Sequence, residues 1–273
     1  RIIKHARPAP TDTHWGGHPN MTQNHDLTPI LATWHYRPGH ITVRTITGID
    51  GKPKIQMRLQ LGILQMETTG RPDGQRPHGC ESLLEYYTDL LEKARTQGKH
   101  DDFHLTETDC ADLRDEATMY YYRYLSLFEL QDYAGVIRDT DRNLKVFDLI
   151  KTYAKSTTDR FSLEQHRPYV IMMNSRSRSA LALAQNDLAA AYNALQEGMQ
   201  LIEKFFADFG QPRLAPKTEE YRLLRSQADL LRDRLPRDPL EVLRDKLANA
   251  VREERFEEAA RLRDKIRKLE DRP

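Results

Sequence analysis

Residues 238–269 read DPLEVLRDKLANAVREERFEEAARLRDKIRKL, a stretch that admits few folds. Leu240, Leu243, Leu247, Ala250 and Val251 recur at helical spacing. Asp238 and Pro239 supply a favoured helix start, a capping side chain followed by a residue whose φ is already helical. The wholly polar Arg252-Glu253-Glu254-Arg255 marks a turn. Beyond it Phe256, Ala259, Ala260, Leu262, Ile266 and Leu269 form a second apolar side. The spacing predicts two short antiparallel helices, with the paired alanines letting the backbones approach and Phe256 filling the open end. Glu257 and Glu258 sit at the positive end of the second helix dipole, and Lys265, Arg267 and Lys268 at the negative end. Residues 238–272 hold ten Lys or Arg and ten Asp or Glu, so the tail is neutral. Units under about 40 residues bury too little to be robust alone. A second hairpin, from another protein or another copy of this chain as a homodimer, would complete a four-helix bundle. Pro236 and Pro239 set the tail off from the body, which favours intermolecular pairing over docking on the chain's own helices.

Composition extends the same logic. Charged residues make up 30% of the 273 positions and hydrophobic ones 38%, a balance suited to helical hairpins that each bury one stripe. The net charge of +1 provides no strong field for nucleic acid or membrane, so direct DNA binding is disfavoured and a protein partner is expected. No run of about 18 apolar residues is present to span a bilayer. Two cysteines, Cys80 and Cys110, make no disulfide framework and point to a reducing cytoplasm. The chain begins at Arg1 rather than Met, which leaves room for an upstream segment or signal. No cofactor is expected.

Residues 1–30 carry Pro8, Pro10, Gly16, Gly17 and Pro19 among polar neighbours and read as a flexible arm, with Trp15 and Trp34 to pin it. Six of the ten histidines lie between His5 and His40, but their irregular spacing without CxxC argues against a metal site. Residues 31–98 read as a small α+β module. Ile41, Val43, Thr45 and Thr47 alternate with Thr42, Arg44 and Ile46, then Asp50-Gly51 turns the chain. Ile55, Met57, Leu59 and Leu61 alternate with Gln56, Arg58 and Gln60, giving a β-hairpin with room for a further strand at 63–66. Gly70 to Gly74 is a strong turn, and Ser82 with Glu85 forms a capping box opening a helix to about Arg95. Any chemistry belongs in this loop, at Arg71, Asp73, His78 and Cys80, with His78 as base to a thiol near a helix N-terminus. No third group orients such a base. The favoured reading is therefore a small buried apolar Cys80 and a surface turn residue at His78.

Residues 104–235 read as helical hairpins. Thr106 caps a helix with Asp109, and Cys110, Leu113, Ala117, Tyr121, Tyr124 and Phe128 share one face. The tyrosine run reads as a helix–helix groove instead of a platform for single-stranded nucleic acid, because Arg123 is its one interleaved cation. Residues 155–167 form a polar connection and Pro168 starts the next helix. Ser175-Arg176-Ser177-Arg178-Ser179 is expected on an exposed helix face. Gly210, Pro212 and Pro216 mark a linker before a helix with Tyr221, Leu224, Ala228 and Leu231 on its stripe.

Within this region two stretches resemble tetratricopeptide repeats. One is Leu130-Gln131-Asp132-Tyr133-Ala134-Gly135-Val136-Ile137, closing at Asn143-Leu144. The other is Ala184-Gln185-Asn186-Asp187-Leu188 with Ala191, Tyr192, Leu195, Gly198 and Met199. The closing Pro is absent, Leu188 replaces an aromatic, and Asp132 and Asp187 stand 55 residues apart against a family period of about 34. The resemblance implies two hairpins without a regular array, and a partner-binding groove with Tyr121, Tyr124, Tyr133 and Tyr192 as candidates. The tail, residues 236–273, resembles the UVR motif of bacterial UvrB and UvrC. The likeness rests on Leu243, Leu247, Ala250, the Phe256-Glu257-Glu258-Ala259-Ala260-Arg261-Leu262-Arg263-Asp264 run, Ile266 and Leu269. In those proteins the motif docks one protein onto another, and it also occurs in stress-response adaptors and protease-associated proteins. The expectation is a mainly α protein acting as a non-enzymatic adaptor. The alternatives are an accessory to nucleotide-excision repair or to a stress-response or protease complex, and a thiol sensor or enzyme using Cys80.

Overall fold

The long helices of this chain mostly begin on a side chain that caps them, and five of them end on a residue in the left-handed region. Ser82, Thr106, Asp132, Asp187 and Thr218 each accept a backbone N–H from the third residue onward, satisfying donors that a helix start leaves unpaired. The computed structural model describes residues 26–235 and 239–270; residues 1–25 of the arm expected over 1–30 and the expected cap Asp238 lie outside them. Residues 1–35 and 36–273 form two units. In the first, Asp26 accepts from the Thr28 backbone at 2.9 Å and a short helix, α1 (Thr28–Thr33), follows.

The second unit is mainly helical with one small sheet. Strands β1 (Val43–Thr47), β2 (Pro53–Arg58) and β3 (Ile63–Glu67) pair antiparallel in that order. Val43 faces Met57 and Thr45 faces Ile55, while Met66 faces Ile55 from the other side. The alternation expected from sequence is kept within β1 and β2 and the third strand is present, but β2 stops at Arg58 and Leu61, expected to continue its inner face, is exposed in the turn before β3. The first connection is wider than a two-residue turn: Gly48 N–H donates to the Lys52 carbonyl at 2.7 Å. On the outer face a polar row runs from Arg44 to Gln56 (2.8 Å) and on to Gln65 (2.9 Å). The inner face, with Ile55, Met57 and Met66 buried, joins the apolar cluster of the helices, since three strands alone offer little burial.

Helices α2 (Leu83–Thr96), α3 (Glu107–Glu129), α4 (Tyr133–Tyr153), α5 (Thr157–Phe161), α6 (Arg167–Ala184), α7 (Leu188–Asp208) and α8 (Glu219–Arg232) follow. Sequential long helices pack on each other, and α6 also meets α8. The α3–α4 and α6–α7 turns are built alike. Gln131 and Asn186 take φ of 60° and 59°. The next residue's N–H reaches back to Leu127 O at 2.9 Å and Ala182 O at 3.0 Å. This is the Schellman closure of a helix C-terminus. Because both turns are only three residues long, the following helix must run back antiparallel.

Four expectations need correction. Ser175, Ser177 and Ser179 are buried, although the serine–arginine run was expected on an exposed face. Helix α6 is covered by α4, α7 and α8, and serines are small enough for close crossings. Ser177 answers its own hydroxyl by donating to the Met173 carbonyl at 2.8 Å. On α3 the buried residue is Tyr120, not Tyr121, because the helix carries contacts on two sides and a single-stripe reading missed the second. The segment expected as a linker is a packed 3-10 turn, Pro212–Lys217, with Ala215 fully buried. At α2, Glu85 accepts from the Glu81 N–H, one residue before the cap, in place of the Ser82 N–H of a regular box.

Buried charge ties the sheet to the helices. Arg123 of α3 and Asp139 of α4 form a two-bond pair at 2.6 and 2.8 Å, each side chain 1% exposed. The remaining guanidinium nitrogen donates to the carbonyls of Glu67 (3.2 Å) and Gly70 (2.7 Å), at the end of β3. Nearby, the fully buried Glu116 accepts from the Leu83 N–H at 2.9 Å and pairs with Arg71 and Arg142. Burial, together with the Arg71 charge, pushes the Arg142 guanidinium down to about 9, the expected direction where two cations share one carboxylate. Arg142 also lies over the Tyr120 ring, 4.0 Å from its centre.

Two outcomes follow for stability. Asp139→Asn leaves a buried guanidinium without its counter-charge and is expected to cost about 3–5 kcal/mol, whereas Arg123→Met with Asp139→Leu is expected to cost much less; urea unfolding of both variants measures the difference. Gly198 of α7 faces Ser175, and a Cβ there would lie 2.6 Å from the Ser175 Cβ and 3.0 Å from Leu224 Cδ1. Gly198→Ala is therefore expected to lose about 1–3 kcal/mol by overpacking, and Ser175→Gly in the same chain to restore part of it, read as thermal midpoints.

Candidate interaction surfaces

The tail folds as the hairpin its pattern predicts. Helix α9 (Pro239–Arg252) starts on the proline, and α10 (Phe256–Glu270) begins after a turn in which Glu254 takes φ 55° and Arg255 N–H donates to Ala250 O at 2.8 Å. That closure repeats the one at Gln131 and Asn186. Ala250, Ala259 and Leu262 form a separate apolar cluster, with Leu243 and Leu247 packed against it; Ile266 is buried and Leu269 half-buried.

Two tail residues depart from expectation. Ala260 is exposed, so the close approach is made by Ala250 against Ala259 across the hairpin. Phe256 does not fill the open end: it is 67% exposed. Phe256 is the first residue of α10, beside the turn, and the buried crossing is made by the small Ala250 and Ala259, so the ring stays outside it. Val251, also exposed, stands beside the same turn at the end of α9. Glu257 and Arg263 are exposed, so both are available to a partner. Arg255 pairs with Glu253 at 2.7 Å and with Glu258, fixing the polar side of the turn.

A second surface is a cleft of about 550 Å³ lined from α3, α4, α6, α8 and the turn before α6. Tyr121 and Tyr124, expected in a groove, do line it, joined by Tyr122 and Tyr169. Tyr133 and Tyr192 do not. Tyr133 meets Phe128 edge-on, ring centres 5.7 Å apart, and Tyr192 packs against the main apolar cluster. Tyr169 was missed because it follows Pro168 at a helix start and carries no periodic signal of its own. Burial pushes up the phenols of Tyr121, Tyr124 and Tyr169, holding them as neutral hydroxyls.

The loop candidates do not converge. Arg71 joins Glu116 at 3.1 Å and Asp73 at 3.6 Å, and Asp73 accepts from the Gln75 N–H at 3.0 Å as an Asx turn. The His78 ring is stacked on Tyr86, 4.1 Å between centres, and Cys80, expected to be buried, is only half-buried in this loop, its thiol contacting the His78 carbonyl at 4.0 Å. The other cysteine, Cys110, is fully buried, and desolvation pushes its thiol up to about 11. Among the described residues no three His, Cys, Asp or Glu side chains group as a metal site, and no helix is long and apolar enough to cross a membrane.

No curated protein and no solved structure matches the chain. The model of the UvrB/uvrC motif matches residues 238–272: the tail hairpin, with its turn at Glu254 and its alanine crossing, carries that motif.

Proposed function

We propose that the chain is a non-enzymatic adaptor that docks through its C-terminal hairpin onto a helical hairpin of another protein and holds a further partner on its helical body. The observation that carries this reading is the self-contained tail. It has its own apolar cluster, yet it leaves Phe256 and Val251 exposed beside the turn. A two-helix unit with an apolar end gains most by pairing, since a second hairpin covers that end and builds a four-helix core. The UvrB/uvrC motif over residues 238–272 supports the same class of contact. It also favours a second reading, in which the partner is an excinuclease subunit and the protein reaches DNA through it.

Affinity capture with the full chain and with a chain ending at Arg237, read by mass spectrometry, tests the proposal. A full-length variant carrying Val251→Asp and Phe256→Asp is the sharper probe, because both positions are exposed and the hairpin's own cluster is untouched. It is expected to lose the tail-dependent partners at least tenfold with unchanged circular dichroism. Retention of every partner by both altered chains would count against an adaptor tail. An excinuclease subunit among the lost partners selects the repair reading.

A further inference from the structure

We infer that the tyrosine cleft is a receptor for a cationic side chain, a lysine or arginine presented by a peptide segment of a partner protein. The inference deepens the adaptor reading and rests on it.

Its walls have the geometry that cations seek. The Tyr121 ring stands at 90° to Tyr124 and at 61° to Tyr122, with ring centres 5.5 and 5.4 Å apart. Tyr169 closes from α6, 6.3 Å from Tyr121. Rings at such mutual angles present faces and edges around one space, and aromatic faces attract ammonium and guanidinium groups through their quadrupole. The charge on the lining is one-sided. Glu220 is the one acidic or basic side chain among the lining residues apart from His166. It forms no ion pair among the described residues. Arg176, two turns along α6 from Tyr169, stands outside the lining and lies over the Phe128 ring at 4.7 Å, although its Nε is buried without a hydrogen-bond partner.

A second observation points to a ligand. Tyr124 is 1% exposed and lines the cleft, yet its hydroxyl makes no hydrogen bond among the described residues. That oxygen is not among the fully buried unpartnered atoms, so it keeps access to the cleft and is open to a donor from a ligand. An ammonium group is donor-only, so it would donate to this oxygen while the rings surround its stem and the Glu220 carboxylate balances its charge. An acidic side chain entering instead would meet Glu220 with no cation on the lining to offset it.

The test is a titration of the full chain, with its tyrosines isotopically labelled, followed by NMR. The probes are N-acetyl-lysine methylamide, its norleucine counterpart, which lacks the charge, and N-acetyl-glutamate methylamide. The lysine probe is expected to shift the Tyr121, Tyr122, Tyr124 and Tyr169 rings and the other two to leave them unmoved. Glu220→Gln is expected to weaken the lysine response about tenfold without altering the starting spectrum, and Tyr124→Phe to weaken it less. Equal shifts from norleucine, a response to glutamate, or no ring response to lysine would overturn the inference. If any of these occurs while affinity capture still returns tail-dependent partners, the cation receptor alone fails; loss of all capture removes the adaptor reading itself.

Discussion

The pair between Arg123 and Asp139 is the constraint on which the arrangement of the body depends. It sits where three pieces of chain meet: α3, α4 and the end of β3. Apolar packing between the sheet and α3 is non-directional and would tolerate sliding. The guanidinium does not, because its donors form a fixed fork and all three of its nitrogens have acceptors in place. Arg138 adds a bond from α4 to the Thr68 carbonyl at 3.1 Å, and the Glu116 cluster fastens the α2 start in the same region. Desolvating these charges contributes little net stability compared with an apolar core of the same shape. Their effect is on register: the strand–helix orientation is specified by bonds with direction.

That network explains which parts of the molecule were legible in the sequence. Periodicity and caps are local, so the alternation in β1 and β2, the Thr106 capping box, the Pro168 helix start and the α8 stripe were readable from neighbouring residues. The buried charges are not local. Arg123 reads as one cation in a tyrosine run, Asp139 as one polar residue on a charged helix, and nothing links the two, sixteen positions apart, until the helices are packed. The serines of α6 failed for the same reason. Ser175, Ser177 and Ser179 alternate like an exposed polar strip, and only the position of α6 among three other helices makes them a small-residue crossing. Within the candidate cleft, Tyr121 and Tyr124 were findable from spacing on one helix, whereas Tyr169 and Glu220 come from elements distant in sequence.

The repeated turn shows how far local chemistry carries. Gln131, Asn186 and Glu254 all occupy the left-handed region at a helix end, a conformation glycine adopts without cost and other residues adopt at some expense. What compensates is the closure that follows. The next N–H satisfies a carbonyl near the end of the preceding helix in each case, and at two of the three turns an aspartate then caps the new helix. The third turn has Arg255 in place of the aspartate and draws on its ion pairs with Glu253 and Glu258. One solution thus serves both the body and the tail.

In the tail that solution sets what is left outside. A turn this short brings α9 and α10 together at once, and Ala250 against Ala259 keeps them together with minimal side-chain bulk. Phe256 stands first in α10, at the turn, outside the cluster that Ala250, Ala259 and Leu262 form. Exposure of Phe256 is therefore a consequence of its place beside the alanine crossing and not a lapse in burial. The same residues that close the hairpin internally also oblige it to offer an apolar end, and that end can be covered only from outside the hairpin.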